Sequence, residues 1–120
     1  MYLLICERND IEAVRADIAV EVGVQCGTEI LSLEVPPLSL DDLLEAPRID
    51  GRTRITLLVL RRWDHKLVDS IDRNVVLLTR ESPVLFLADL EIAERTLAAA
   101  PNLRNRLADI LVIRPEILGV

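Results

Sequence analysis

The acids that follow the apolar segments are the residues of this chain best suited to chemistry. Glu7 and Asp10 come after the apolar segment YLLIC, and Asp64 follows ITLLVL behind two arginines. If both segments are parallel strands, their carboxyl ends meet at one edge of a sheet, where open α/β proteins bind ligands. The three carboxylates therefore leave a hydrolase of unrecognised class as one alternative. Because no base–nucleophile pair accompanies them, the sequence favours a protein that is not an enzyme.

The two cysteines and the single histidine offer little further chemistry. Cys6 lies in the first apolar segment and is expected to be a buried, inert thiol, whereas Cys26 falls in a predicted loop. His65 opens a predicted helix, where a solvated or capping role is favoured over that of a base. One histidine and two distant cysteines give no ligand spacing for a metal. We therefore expect no catalytic, cofactor-binding or metal-binding residue.

A nucleotide-binding loop should follow the first strand, because backbone amides at the start of a helix cradle phosphate. The patterns GxxxxGK[ST] and GxGxxG are both absent, and the segment ERNDIE after the first strand has acids and no glycine. A receiver domain would carry a phosphorylatable aspartate at the end of the third strand, where Arg61 and Arg62 stand instead. The sequence predicts neither nucleotide binding nor phosphorylation.

Arg61, Arg62 and Trp63 form the candidate protein-interaction site. Tryptophan and arginine are enriched among the residues that dominate binding energy at protein interfaces. For Trp63 the favoured alternative is a packing role between the end of the strand and the next helix. The two arginines are also expected to pair with Asp64 or Asp69, a surface interaction worth at most about 1 kcal/mol.

Length and charge limit the classes of partner. The 120 residues predict one domain, 1–120, and 51% hydrophobic residues indicate a globular chain. A net charge of -6 repels phosphate backbones and anionic lipid, so we expect neither nucleic acid nor membrane as a partner. No apolar segment approaches the roughly 20 residues that span a bilayer, and the first residues do not resemble a signal peptide. A cytoplasmic location is expected.

Hydrophobic periodicity predicts the element order β-α-β-α-β-α-β-α-β. The predicted strands are residues 2–6, 29–35, 55–60, 83–88 and 109–115. The predicted helices are 11–22 with a stop at Gly23, a short helix at 39–47 before a polar loop at 48–54, residues 65–82, and residues 90–108 with a break at Pro101. Asn9 or Asp10 is expected to cap the first helix.

Continuous apolar strands alternating with helices are typical of a parallel sheet covered on both faces. The predicted fold is α/β, a three-layer α-β-α sandwich with a mostly parallel five-stranded sheet, either P-loop-NTPase-like or flavodoxin-like. In the first alternative the first strand lies between the fifth and fourth strands. In the second it lies between the second and third. The alternating pattern of EILSLEV, 29–35, predicts an edge strand open to pairing, so a homodimer is an alternative assembly.

Residues 54–115 carry a family resemblance. The helix after ITLLVL has a register similar to "LxxLNxxRDxL", the strand PVLFLAD (83–89) is similar to a "PLVLWLP" sensor strand, and the helix ending at residues 100–104 is similar to "APDLxSW". The first of these registers is carried by Leu67, Ser70, Ile71, Asp72, Arg73, Asn74 and Leu77. The final strand is DILVI, 109–113. Together they resemble a segment of bacterial signalling ATPases of the AAA and STAND kind, and of proteins encoded beside them.

This resemblance implies a role in bacterial conflict systems such as antiphage defence. Because both the phosphate loop and the magnesium-binding acids are missing, it implies a degenerate, nucleotide-free domain. The leading hypothesis is a pseudo-NTPase-like adaptor or sensor domain that binds a protein partner, such as a signalling ATPase or effector encoded nearby. The first alternative is a pseudo-receiver regulatory domain that acts by dimerisation, and the second is the hydrolase.

Overall fold

The computed structural model describes residues 1–27, 30–35, 55–76 and 83–113. The predicted helix at 39–47 and the loop at 48–54 lie outside these ranges. The strands are β1 (Tyr2–Ile5), β2 (Ile30–Val35), β3 (Ile55–Leu60), β4 (Val84–Ala88) and β5 (Asp109–Val112). The helices are α1 (Ile11–Cys26), α2 (His65–Arg73), α3 (Leu90–Ala99) and α4 (Pro101–Arg106), and a 3-10 turn, Arg8–Asp10, precedes α1.

The strands pair in the order β2-β3-β4-β1-β5, and every pairing is parallel. Leu3 of β1 lies opposite Phe86 of β4 on one side and Ile110 of β5 on the other. The α/β class with a parallel sheet is therefore confirmed. In a receiver-type sheet β1 would have β2 and β3 as neighbours, whereas here its neighbours are β4 and β5.

Two apolar clusters lie on opposite faces of the sheet, because successive side chains of a strand point in opposite directions. Leu3 and Ile5 of β1 belong to one cluster, and Leu4 and Cys6 belong to the other. In the first cluster the sheet packs against α2, α3 and α4 through Val68, Ile71, Ile92, Ala93 and Leu103. In the second cluster it packs against α1 through Ile11, Val14 and Ile18. The continuous apolar segments of β1, β3 and β4 are thus explained by burial on both faces.

β5 is apolar but exposed, which the sequence did not predict. All four of its residues are exposed, including Ile110, Leu111 and Val112. Within the described residues β5 pairs only with β1, so it forms one edge of the sheet. The predicted edge strand, β2, lies at the other edge.

The helix boundaries correct two predictions. α1 continues through Gly23 to Cys26, and Gly27 ends it in the left-handed conformation with φ of 62°. Cys26 is therefore the last helical residue rather than part of a loop. At its start, Asp10 occupies the N-cap position but makes no capping hydrogen bond through its side chain. The predicted break at Pro101 is confirmed, because α3 ends at Ala99 and Pro101 opens α4.

The helix predicted over 65–82 is observed as α2, which ends at Arg73. The amide of Asn74 donates to the carbonyl oxygens of Ser70 and Ile71, and the Asn74 side chain donates to the Ser70 carbonyl at 2.8 Å. These contacts satisfy carbonyl groups that the last turn leaves without helical partners. Residues 77–82 lie outside the described ranges.

Candidate functional site

The connection from β1 to α1 contains the segment ERND, which has acids and no glycine. The amide of Cys6 donates to the Ala88 carbonyl at 3.1 Å, and the amide of Asp10 donates to the Glu7 carbonyl at 2.9 Å. The chain then passes through the 3-10 turn directly into α1. This tight, glycine-free connection brings the acidic residues Glu7, Asp10 and Glu12 to the start of the helix.

Arg8 joins this connection to the end of β4. Its Nε atom donates to Asp89 Oδ2 at 3.1 Å, and its Nη2 atom lies 3.8 Å from Glu91 Oε2. Asp89 is buried, and its other oxygen accepts the Ile92 amide at 2.9 Å, so the same carboxylate caps α3. A buried carboxylate needs such partners, because removal from water penalises its charge.

The ion pairs Arg8–Asp89, Arg8–Glu91 and Arg95–Glu91 form a chain, which we call the ion-pair chain. A cation–π contact extends it to Trp63 at the end of β3. Arg95 Nη2 lies 3.5 Å from Glu91 Oε1, and Arg95 Cζ lies 5.9 Å from the centre of the Trp63 ring. At that distance the guanidinium is attracted to the face of the indole. Charged and aromatic side chains therefore connect the carboxyl ends of β1, β4 and β3.

A second group of ion pairs links the end of β3 to α1. Arg61 pairs with Glu12, and Glu12 Oε1 lies 3.8 Å from Arg15 Nη1. We expected Arg61 or Arg62 to pair with Asp64 or Asp69. The observed partner of Arg61 lies instead on α1, which the sheet brings alongside the end of β3.

The two acids that were expected to pair with these arginines have other partners. Asp64 Oδ1 accepts the Leu67 amide at 3.1 Å and caps α2. Asp69 Oδ2 lies 2.9 Å from Arg73 Nη2, one helical turn further on. Their carboxylates serve α2 rather than the end of β3.

The residues of the candidate interaction site occupy three different environments. Arg61 is largely covered and ion-paired, Arg62 is exposed, and Trp63 is half-buried against the core cluster beneath α2. The packing role that was favoured for Trp63 is thus observed. Its ring centre also lies 6.5 Å from that of His65, an exposed residue at the start of α2.

The remaining chemical candidates have structural environments of their own. Cys6 is a buried thiol in the α1 cluster, as predicted, and burial raises its pKa to about 11, with the charges of Asp10 and Asp89 adding to the effect. Of the three hydrolase candidates, Asp64 caps α2, whereas Glu7 is exposed on the β1–α1 connection.

Sequence reasoning missed two buried aspartates, Asp89 and Asp72. Asp72 Oδ1 accepts the Leu103 amide at 2.9 Å, and Oδ2 accepts from Asn102 Nδ2 at 3.3 Å, so this residue of α2 caps α4. The sequence contains a signal that could have identified each of the two aspartates. Asp89 immediately precedes a helix, and Asp72 lies four positions after the buried Val68, on the apolar stripe.

In the described ranges no group of three or more His, Cys, Asp or Glu side chains is arranged to hold a metal ion. No helix in the same ranges combines the length and hydrophobicity that crossing a bilayer requires. Comparison with protein-family models, with curated proteins and with solved structures finds no match to this chain.

Proposed function

We propose that this chain is a nucleotide-free domain of the P-loop NTPase type that works by binding another protein. The observation that carries the proposal is the ion-pair chain at the carboxyl ends of the strands. Arg8, Asp89 and Glu91 connect the ends of β1 and β4, where an NTPase would hold phosphate. These side chains pair with one another, so we infer that the domain offers surfaces rather than a reaction centre.

The strand order supports the proposed architecture. We infer a three-layer α-β-α sandwich around a five-stranded sheet in which β1 lies between β5 and β4. That order is the one expected for the P-loop alternative and differs from the receiver order. Apolar clusters on both faces of the sheet agree with helical layers on either side.

Local charge argues against a bound phosphate. Two of the cations at the carboxyl ends of the strands, Arg8 and Arg61, are engaged by carboxylates. A phosphate would have to displace those carboxylates and then lie beside Glu7 and Asp10, which would repel it. Glycine is also absent from the connection, so its backbone amides are not arranged in the usual phosphate cradle.

The proposed partner-binding surface contains Arg61, Arg62 and Trp63. Arg61 orients the end of β3 through Glu12, while Arg62 and the exposed part of Trp63 make contact with the partner. Together with the resemblance of residues 54–115, this surface leads us to propose an adaptor or sensor role in a bacterial signalling or defence system. The partner would be a signalling ATPase or effector encoded nearby.

Isothermal titration with ATP and with GTP, each in the presence of magnesium, tests the nucleotide-free assignment. We expect no saturable heat with either nucleotide. Micromolar binding would overturn the proposal. Arg8→Ala is an informative companion, because it opens the ion-pair chain without adding the missing glycines, and we expect this variant to remain unable to bind nucleotide.

A further inference from the structure

A basic surface follows the end of β3. We call it the Arg62–Lys66 patch, and it consists of Arg62, Trp63, His65 and Lys66. Arg62, His65 and Lys66 are exposed, and Trp63 is half-buried. These residues belong to one stretch of five consecutive residues, 62–66, and the ring centres of Trp63 and His65 lie 6.5 Å apart. The positive charges of Arg62 and Lys66 contrast with the net charge of -6 of the whole chain.

Three acids of the described ranges, Asp64, Asp69 and Glu91, are engaged in internal contacts. Asp64 caps α2 through the Leu67 amide, and Asp69 pairs with Arg73. Glu91 lies between Arg8 and Arg95. Among the described residues, Arg62 and Lys66 have no ion-pair partner.

Trp63 gives the patch a fixed apolar centre. One part of the side chain packs against the core cluster, while Arg95 and His65 lie beside the ring. A side chain that is already held in place loses little conformational entropy when it binds a partner. Tryptophan and arginine are enriched among the residues that dominate binding energy at interfaces.

We infer that the Arg62–Lys66 patch binds an acidic segment of the partner protein, rich in Asp and Glu and carrying one apolar residue. Carboxylates of the segment pair with Arg62 and Lys66, and the apolar residue covers the exposed part of Trp63. This inference rests on the proposed function and names the chemistry of the partner. Complementary charge speeds association and selects the partner, and its effect falls as salt screens it.

The test uses the intact chain and a short synthetic peptide of Asp and Glu residues containing one Leu. Because Trp63 is the chain's single tryptophan, its fluorescence reports binding at this site directly. At low ionic strength we expect a dissociation constant on the order of 100 µM, and we expect affinity to weaken as salt is added. Amide shifts in NMR spectra should be confined to the patch and its neighbours.

Charge reversal provides a matched pair of variants. R62E/K66E removes the proposed contacts, and R104E/R106E changes the net charge equally at two exposed arginines of α4. We expect the first variant to weaken peptide binding about tenfold or more and the second to stay within about twofold. Circular dichroism verifies that both variants are folded.

Three outcomes would overturn the inference. They are a lack of saturable binding by the peptide, an equal loss in both variants, and equally tight binding of a single-stranded oligonucleotide of matched charge. The result of the nucleotide titration does not depend on any of these outcomes. Failure of this inference is therefore distinguishable from failure of the proposed function. Binding of ATP or GTP would overturn the proposed function, and the peptide result would still be interpretable.

Discussion

Arg8 Nε and Asp89 Oδ2 lie 3.1 Å apart and join two chain segments that are 81 positions apart in sequence. Arg8 follows β1 and Asp89 follows β4, so their contact depends on the parallel pairing of these two strands. The pair lies at the carboxyl ends of the strands, where open α/β sheets bind ligands. Here that place is used for a structural contact, because Asp89 also caps α3.

Substitutions of Asp89 separate its two roles. Asp89→Asn keeps an oxygen that can accept the Ile92 amide and loses the charge that pairs with Arg8. Because the Arg8 side chain is 70% exposed, we expect this variant to lose less than about 1 kcal/mol in the free energy of unfolding. Asp89→Ala also removes the cap, and we expect a loss of about 2 kcal/mol. Urea denaturation measures both values. Equal losses in the two variants would mean that the ion pair, rather than the cap, stabilises this end of α3.

Asp72→Ala is expected to destabilise the protein more than Asp69→Ala, a substitution of a partly exposed residue on the same helix. The substitution leaves the amide of Leu103, a buried residue, without its acceptor, which costs about 1–3 kcal/mol. Asp69→Ala on the same helix removes only the surface pair with Arg73, worth about 0.5 kcal/mol or less. Chemical denaturation of the two variants gives the comparison. A smaller effect at Asp72 than at Asp69 would contradict the proposed anchoring of α4 by α2.

The strands could be predicted because their signal, a continuous apolar segment, is visible in the local sequence. Continuous apolar residues such as those of β3 require burial on both faces, and a sheet covered by helices provides it. The exposure of β5 could not be predicted in the same way. Its residues Ile110, Leu111 and Val112 are as apolar as a buried strand, and only the strand order places them at an edge.

The candidate site was less predictable than the fold. Arg61, Arg62 and Trp63 were found because they interrupt an apolar pattern. Their partners Glu12 and Arg95 were not found, because α1 and α3 reach the end of β3 only in the folded chain. The prediction that α1 stops at Gly23 was wrong, because local sequence does not show which glycine ends the helix. Gly23 and Gly27 look equivalent in sequence, and the backbone conformation alone distinguishes them.

Gly27 gives a graded test of the end of α1. Its φ of 62° is a conformation that Gly adopts freely and Asn tolerates, whereas Ala and Val are disfavoured there. An added Cβ would meet no atom within 4 Å, so the cost comes from the backbone alone. We expect Gly27→Ala to lose about 1 kcal/mol, Gly27→Asn to lose less and Gly27→Val to lose more. Thermal denaturation ranks the three variants. Equal stability of the Asn and Val variants would show that the helix does not need the left-handed residue.

The thiol of Cys6 should be unreactive in the folded protein. Burial raises its pKa from 9.0 to about 11, and the negative charges of Asp10 and Asp89 oppose the thiolate further. Thiolate is the reactive form, so we expect a disulfide reagent at pH 8 to modify Cys6 slowly in the native chain and rapidly in urea. Cys26→Ser leaves Cys6 as the only thiol and makes the rate unambiguous. Native and unfolded rates that agree would contradict the burial of Cys6.

The same shift predicts how stability changes in alkaline solution. Between pH 9 and pH 11 the unfolded chain loses the Cys6 proton while the folded chain keeps it, so the unfolded state binds fewer protons. The free energy of unfolding therefore decreases as pH rises through this window, and it is unaffected by Cys6 below it. A shift of two pKa units corresponds to about 2–3 kcal/mol. Cys6→Ala is the control, because other groups titrate in both proteins and only the Cys6 contribution is absent from the variant. Parallel curves for the two proteins from pH 8 to pH 11 would show that folding leaves the pKa of this thiol unchanged.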